Sequence, residues 1–300
     1  MEFEKKFNTE EACRDYLFKL RWPDGFQCPR CDHKKAWPLK NALYQCAQCN
    51  HKISVIAGTI FHRTHKPLVI WFRAIWWLLG QKNGASALGI QKIMGLGSYK
   101  TAWAWLHKLR RAMITPGRDN LSGTVEVDET YIGGETSGKR GRGSEGKSLV
   151  VIAVEIKDSK IGRIRLHCIP DASSESLNPA IERSIDKGSH IRTDGWKGYN
   201  HLSSFGYIHE VIRQHSVIGE DLLPNCHIIA SLLKRWLLCT HQGAVSHEHL
   251  EYYLDEFTFR FNRRTSTHRG KLFYRLLQNA VKIEPVTFNQ IKKNVNINRC

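Results

Sequence analysis

Two pairs of closely spaced cysteines most constrain how this chain of 300 residues can fold. Cys28 and Cys31 form one CxxC pair, Cys46 and Cys49 form the other, and fourteen residues separate the pairs. Each CxxC turn can direct two thiolates at one ion, and four thiolates complete a closed tetrahedral site. The spacing therefore predicts a structural Zn²⁺ in a ribbon with a β-hairpin between the pairs. Redox CxxC motifs and unrelated buried cysteines are the alternatives.

The remaining cysteines show no such pairing and are expected to be core or surface thiols: Cys13, Cys168, Cys226, Cys239 and Cys300. An odd total of nine cysteines, four of them in CxxC pairs, favours reduced thiols and a metal over disulfides. This usage is typical of a cytoplasmic protein.

The chain carries a formal net charge of +17, with a pI near 9.6. Such an excess of Lys and Arg gains affinity by displacing counterions from a polyphosphate, so nucleic acid is the expected partner. Acidic residues from Glu2 to Asp15 interrupt the N-terminal segment, which is not typical of a signal peptide. The most apolar stretch, 68–79, contains Arg73 and is shorter than the about twenty residues of a membrane span. We therefore expect no membrane association.

Changes in composition divide the chain into three predicted domains. Residues 1–60 contain the cysteine pairs and an N-terminal helix, residues 61–118 are helical and rich in Trp, and residues 119–300 mix strand and helix patterns. Pro116, Gly117 and Gly123 mark the second boundary. A fold with an N-terminal ribbon, a helical segment and a larger α/β domain is expected.

The helical segment has the pattern of a helix-turn-helix. Glycines in 95–97 separate two short helical patterns, as such a motif requires. The second helix carries positive side chains that would face a major groove, and the predicted DNA-binding residues are Lys100, His107, Lys108 and Arg111. The tryptophans of this segment are predicted to be core residues.

In the third segment, runs rich in β-branched residues alternate with helical patterns. The predicted strands are 124–132, 148–156, 164–169, 190–193 and 209–213, and the predicted helices are 174–186 and 225–238. The glycine- and arginine-rich run 133–146 is predicted to be a hairpin. This order indicates an α/β domain with a mixed sheet.

Two aspartates in this domain have the arrangement that metal-dependent phosphodiester chemistry needs. Asp128 lies in an alternating strand that places Val125 and Val127 on one face and Glu126 and Asp128 on the other. Asp194 follows the short strand 190–193. Carboxylates from separate elements can hold two divalent ions about 4 Å apart. If the two strands are neighbours, Asp128 and Asp194 would converge on one site.

The chain resembles bacterial insertion-sequence transposases of the DDE type with an N-terminal zinc ribbon. The resemblance covers nearly the whole chain and lies in VEVDETYIGG (125–134), IRTDGWKGYN (191–200), ASLLKRWLLCTHQGAVS (230–246) and YLDEFTFRFNRR (253–264). It implies an RNase H-like catalytic domain that nicks transposon ends and joins them to a target. It also implies that Asp128 and Asp194 are the first and second metal-binding aspartates.

The third acidic position departs from the family pattern. In DDE enzymes a glutamate stands seven residues before a basic residue, so that both share a helix face. Lys234 is the basic residue, and the position seven residues before it holds His227. We therefore expect a variant in which two aspartates and a histidine (DDH) bind the catalytic ion. That ion would be Mn²⁺ or Mg²⁺, although Mg²⁺ prefers oxygen ligands. Glu220, Asp221, Glu129 and Glu135 are alternative third ligands, and a defective copy is a further alternative.

These features predict an insertion-sequence transposase that binds terminal inverted repeats and catalyses metal-dependent DNA strand cleavage and strand transfer. Its expected partners are double-stranded DNA at the transposon ends and target, and further copies of itself on DNA. The expected location is the cytoplasm, in association with the nucleoid. The alternatives are a zinc-ribbon DNA-binding regulator with a silent RNase H-like domain, and a nuclease without end joining.

Overall fold

The computed structural model describes residues 2–115, 117–133, 147–213, 222–243 and 245–293. From the N-terminus its elements are α1 (Glu2–Lys6), α2 (Glu10–Arg21), β1 (Ala36–Pro38), β2 (Leu43–Cys46), β3 (Lys52–Ser54), α3 (Leu68–Gly80), α4 (Ala87–Ile93) and α5 (Tyr99–Ala112). They continue with β4 (Thr124–Ile132), β5 (Ser148–Lys157), β6 (Lys160–Ile169), α6 (Ser174–Glu182), β7 (His190–Thr193), β8 (Ile208–Val211), α7 (Pro224–His241), α8 (Leu250–Phe261), α9 (Arg269–Ala280) and α10 (Phe288–Lys292).

The chain divides into two compact units. One comprises Met1–Pro116 and Thr267–Cys300, and the other comprises Gly117–Ser266. The break near 117 lies close to the expected boundary at 118, whereas the last segment groups with the first unit rather than with the sheet. The division into three functional domains stays a prediction.

In the first unit, aromatic side chains form much of the core. Phe7, Phe72 and Phe273 pack with ring centroids 5.0 to 5.5 Å apart, so α9 packs with the N-terminal helices. Trp71 and Trp105 stack at 3.6 Å and both are buried. Their burial confirms the prediction of a core position for these two tryptophans, whereas the other three of the segment, Trp76, Trp77 and Trp103, are only partly buried.

The two short helices expected of a helix-turn-helix are present as α4 and α5. Ser86 caps the start of α4, where its hydroxyl accepts a hydrogen bond from the Gly89 N–H at 3.1 Å. Gly95, at φ 60°, lies in the turn that separates the helices.

The second unit contains a mixed sheet. Among the described residues its strand order is β6-β5-β4-β7-β8, with β4, β5 and β6 antiparallel and with β7 and β8 parallel to β4. This is the strand order of an RNase H-like sheet, so the predicted fold class is confirmed. The predicted strands and helices are all found, with ends shifted by a few residues.

Both faces of the sheet are covered. Val125 and Val127 pack on α6 through Leu177 and Ile181 on one face. On the other face, β5 and β6 pack on α7 and α8. Strand β5 is buried along nearly its whole length, which explains its unbroken apolar sequence.

The predicted hairpin at 133–146 lies almost entirely outside the described residues, as does Cys300. No helix in the described parts of the chain is long and apolar enough to cross a membrane.

Gly198 gives a test of the packing in the loop after β7. A Cβ at this position would lie 2.6 Å from the Ala172 carbonyl oxygen and 2.6 Å from Leu177 Cδ1. Because a backbone atom cannot move away cheaply, we expect Gly198→Ala to lower the free energy of unfolding by about 1–3 kcal/mol. Gly97→Ala is the control, since a Cβ there meets nothing within 4 Å. Equal unfolding midpoints in denaturant for the two variants would contradict this packing.

Candidate functional site

The candidate active site is built on the central strand β4. Glu126 and Asp128 lie on the face towards α7, opposite Val125 and Val127, as the alternation predicts. The Asp128 side chain is 17% exposed. A carboxylate at the edge of a buried layer is therefore accessible to an ion and still held by the sheet.

Asp194 directly follows β7, the strand that neighbours β4. β7 pairs with β4 in parallel, and the register aligns Glu126 with Arg192. Two residues further along, the same register brings Asp194 level with Asp128, and adjacent strands are about 4.8 Å apart. The two aspartates are neighbours, as predicted.

A turn holds the exposed Asp194 carboxylate. The Trp196 N–H donates to Asp194 Oδ1 at 2.9 Å, and the Trp196 indole N–H donates to the Ala172 carbonyl at 2.7 Å. The turn is thereby anchored to the segment before α6. Only one carboxylate oxygen of Asp194 is used within the described residues, which leaves the other for a ligand.

His227 lies beside Asp128. Its Nε2 is 3.3 Å from Asp128 Oδ2, and its side chain is 54% exposed. Lys234 lies seven residues further along α7 and is exposed. Because seven residues advance about two turns, both side chains lie on the same side of the helix.

Negative charge accumulates at this site. Burial, together with the charges of Glu129 and Asp194, raises the pKa of Asp128 to about 6, against the opposing effects of the Glu129 N–H and His227. Carboxylates that destabilise one another in this way are stabilised by a bound cation. Carboxylates and an imidazole are donor types that suit a divalent ion, although in this structure the ligand atoms of Asp128, Asp194 and His227 do not all lie within 4.8 Å of one another.

The other candidates for the third ligand are placed differently or lie outside the described residues. Glu129 accepts a hydrogen bond from the buried Tyr199 hydroxyl at 2.6 Å and lies on the strand face opposite Asp128. Glu220, Asp221 and Glu135 fall in residues that the structure does not describe.

Two further residues of the site were not predicted. Glu126 accepts hydrogen bonds from the first turn of α7, and Tyr199 links the Asp194 loop to β4 through Glu129. A buried position for Glu126 follows from the strand alternation, but its partner is 99 residues away in the sequence. Only the fold reveals that contact.

The four predicted cysteines converge in the first unit. Their Sγ atoms all lie within 4.8 Å of one another, and within the described residues no other group of three or more His, Cys, Asp or Glu side chains does so. Cys28 and Cys49 are 3.6 Å apart, as are Cys31 and Cys46. A tetrahedron with Zn–S bonds of about 2.3 Å has edges of about 3.8 Å, so the cluster fits Zn²⁺.

The two cysteine turns repeat one backbone design. The Asp32 N–H donates to the Cys28 carbonyl at 2.9 Å, and the Asn50 N–H donates to the Cys46 carbonyl at 3.1 Å. Asp32 and Asn50 both have φ near +57°, a conformation that these residue types tolerate. Backbone N–H groups of Cys49 and Gln48 lower the pKa of Cys46, which favours the thiolate that binds metal.

Comparison with known families identifies both regions. Residues 120–262 match the ISXO2-like transposase domain, and residues 8–52 match the transposase zinc-ribbon domain. Together the two models cover well over half of the chain. The chain carries an ISXO2-like transposase domain and a transposase zinc ribbon. It is therefore a DNA transposase of the DDE type with an N-terminal zinc ribbon, and the predicted family is confirmed.

Solved structures similar to this transposase include the Mos1 strand transfer complex and a pre-cleavage Mos1 transpososome. The first is 14% identical over 75% of this chain and 78% of that chain, with a TM-score of 0.29. The second is 12% identical over 75% and 77%, also with a TM-score of 0.29. Comparison with curated proteins gives no significant match. The fold assignment rests on strand order and on the family match.

The predicted DNA-binding residues of the transposase do not share one environment. Lys100 is exposed near the start of α5, whereas His107 is fully buried and its ring lies 4.2 Å from that of Trp103. Lys108 is partly buried, and Arg111 donates to the Glu284 carbonyl at 3.1 Å. A fully buried ring cannot reach a phosphate, so the expectation of DNA contact by His107 is corrected.

The cysteine cluster of the transposase gives a direct prediction. We expect one Zn²⁺ per chain in elemental analysis of the purified protein, and loss of that zinc in Cys28→Ser because three thiolates leave the site open. Cys239→Ser, which removes an exposed thiol outside the cluster, should retain full zinc content. Wild-type protein that purifies without zinc would show that the four thiols have another role.

Proposed function

We propose that this transposase binds the terminal inverted repeats of its insertion sequence and transfers strands at a site formed by Asp128, Asp194 and His227. The observation that carries the proposal is the 3.3 Å separation of His227 Nε2 from Asp128 Oδ2, on the helix that also presents Lys234. The spacing of His227 and Lys234 follows the pattern expected of the third ligand and its basic partner.

The three side chains would hold Mg²⁺ or Mn²⁺. Bound divalent ions activate the attacking oxygen and stabilise the leaving oxygen in phosphoryl transfer. Because an imidazole replaces one hard carboxylate, we propose a preference for Mn²⁺ over Mg²⁺.

The proposed reaction has two displacements at phosphorus. Water first attacks the phosphate at the transposon end, and the bond to the 3′ oxygen breaks to free a 3′-hydroxyl. That hydroxyl then attacks a target phosphate, and the target's own 3′ oxygen leaves. Lys234, exposed two turns from His227, would hold phosphate oxygens near the reacting bond.

We propose that double-stranded DNA also binds the first unit. Lys100, Lys108 and Arg111 of α5 are the candidate contacts, and the net charge of +17 supports a polyanionic partner. Joining two transposon ends calls for more than one active site, so we expect homo-oligomers on DNA. A cytoplasmic location with the nucleoid belongs to the same proposal.

The outer face of the zinc-ribbon sheet is a second candidate DNA surface. Trp37 pairs with Gln45, and Gln45 pairs with Lys52, so the three side chains form a row across the strands. Trp37 is 65% exposed, and Lys35, two residues earlier, lies on the same face. The inner face is the packed one, where Tyr44 contacts Phe18 at 4.9 Å. An exposed indole with Lys35 on the same strand face, and with Lys52 beyond Gln45, suits a sugar–phosphate backbone.

This surface predicts a binding defect. Trp37→Ala should weaken binding to end DNA by about 1 kcal/mol or more, since exposed aromatic side chains that become buried on binding contribute strongly to affinity. Lys52→Ala should reduce the slope of log affinity against log salt by about one. Fluorescence anisotropy with labelled end duplex measures both.

Lys19→Ala is the matched control for this surface, because Lys19 is an exposed lysine on α2 away from that sheet face. Equal defects in Lys19→Ala and Lys52→Ala would indicate only a loss of total charge. Unchanged binding in Trp37→Ala would exclude the outer face as the contact surface.

The third ligand gives the sharpest test of the catalytic proposal. His227→Ala should abolish strand transfer and leave end binding near wild type, because one ligand is lost and the DNA-binding segments are unaltered. His227→Glu should retain activity or shift the preference towards Mg²⁺, since a carboxylate is the harder donor. Lys234→Ala should reduce cleavage less severely. The measurement is strand transfer of pre-cleaved end DNA in Mg²⁺ and in Mn²⁺.

Wild-type activity in His227→Ala would place the third ligand elsewhere. If the wild type bound end DNA but cleaved nothing in either metal, while His227→Glu cleaved, the natural chain would be a DNA-binding protein with a silent catalytic domain. The histidine in place of the usual glutamate is the observation that favours this second candidate function, a DNA-binding protein without catalytic activity.

A further inference from the structure

Glu126 is a buried carboxylate with several donors. It is 5% exposed, and its partners come from the start of α7. The Asn225 side-chain amide donates to Oε1 at 2.7 Å. The Asn225 N–H donates to Oε2 at 3.0 Å, and the Cys226 N–H donates to the same oxygen at 3.3 Å.

These donors need an acceptor from outside the helix. The first backbone N–H groups of an α-helix have no partner within it, and Leu223, which precedes α7, provides no side-chain cap. Pro224 has no N–H, so the Asn225 and Cys226 N–H groups are the first to require one. A carboxylate at this position is also stabilised by the positive end of the helix dipole. Glu126 therefore caps α7 from a strand.

The cap lies directly beside the proposed catalytic pair. Glu126 precedes Asp128 by two residues on the same face of β4, and Asn225 precedes His227 by two residues on α7. The strand and the helix thus meet twice, first at Glu126 and Asn225 and then at Asp128 and His227. A shift of α7 along β4 would separate both pairs together.

We propose that Glu126 is a positioning residue that fixes the first turn of α7 on β4 and thereby holds His227 at Asp128. The inference rests on the proposed metal-binding roles of Asp128 and His227. Glu126 acts through the helix and is not itself a ligand, because both of its oxygens accept hydrogen bonds from α7. Its charge stabilises the N-terminus, and its two oxygens set the register.

Glu126→Gln tests this role with little change in size. The Asn225 side-chain amide can turn to accept from the new amide group, so the variant keeps three hydrogen-bonding partners but removes the negative charge that strengthens these bonds and stabilises the helix N-terminus. A second change, Asn225→Asp, supplies an acceptor for that amide while the remaining oxygen still accepts from the backbone. The double variant Glu126→Gln/Asn225→Asp moves the negative charge from position 126 to position 225, still at the N-terminus of α7, and should restore the cap.

Glu155→Gln is the matched control. Glu155 is also largely buried on the same sheet, where it pairs with Arg163 at 2.6 Å and accepts the Ser122 N–H. Its hydrogen bonds and ion pair within the described residues are made with Ser122 and Arg163, not with α7. Its replacement should cost stability without moving His227.

Two readouts without DNA separate positioning from general stability. We expect Glu126→Gln to weaken Mn²⁺ binding about tenfold or more in calorimetry, as removal of a group supporting a ligand typically does. Hydrogen exchange at the Cys226 and His227 amides should speed up in the same variant. The double variant should recover both properties, and Glu155→Gln should leave both near wild type.

Each outcome of these measurements supports or overturns the positioning role of Glu126. Wild-type exchange and Mn²⁺ affinity in Glu126→Gln would overturn the proposal, as would equal losses in Glu155→Gln. Losses in Glu126→Gln that the double variant does not recover, in protein that folds, would also overturn it. If His227→Ala binds Mn²⁺ as the wild type does, the proposed ligand set fails instead, and the exchange measurement still decides whether Glu126 fixes α7.

Discussion

Strand β4 carries apolar side chains on one face and carboxylates on the other, and the rest of the second unit packs so that both faces have suitable partners. Val125 and Val127 are fully buried against α6, while Glu126 and Asp128 on the other face need polar partners. A strand can do both because successive side chains point to opposite faces. The central position of β4 then fixes the neighbours, with β5 on one side and β7, which leads to Asp194, on the other.

The two carboxylates on that face, Glu126 and Asp128, differ in burial and in hydrogen-bond partners. Glu126 is buried and its charge is met by donors from α7, so it contributes order rather than reactivity. Asp128 keeps access to solvent, and its pKa is raised to about 6 chiefly by burial. Burying a carboxylate costs free energy unless it is hydrogen-bonded or bound to a cation. The α7 helix satisfies the first carboxylate, and a divalent ion would satisfy the second.

Much of this arrangement could be predicted from the sequence. The CxxC spacing predicted the zinc cluster, and strand alternation predicted which side of β4 carries Asp128. The partner of Glu126 could not be predicted, because a hydrogen bond across 99 residues depends on how α7 docks. The basic residue type of His107 predicts a DNA-facing position. In the structure, that face of α5 is buried and the His107 ring lies beside Trp103. Helical periodicity alone does not say which face of a short helix is covered.

The two metal sites differ in the way their chemistry requires. The cysteines are soft ligands that form a closed shell, and their turns are fixed by backbone hydrogen bonds within a few residues. The proposed catalytic ligands come from β4, from the residue after β7 and from α7, and His227 is half exposed. A site that must admit a DNA phosphate cannot be closed by its own protein ligands. Its geometry therefore depends on contacts between elements distant in the sequence, such as Glu126 with α7 and Tyr199 with Glu129, rather than on a local turn.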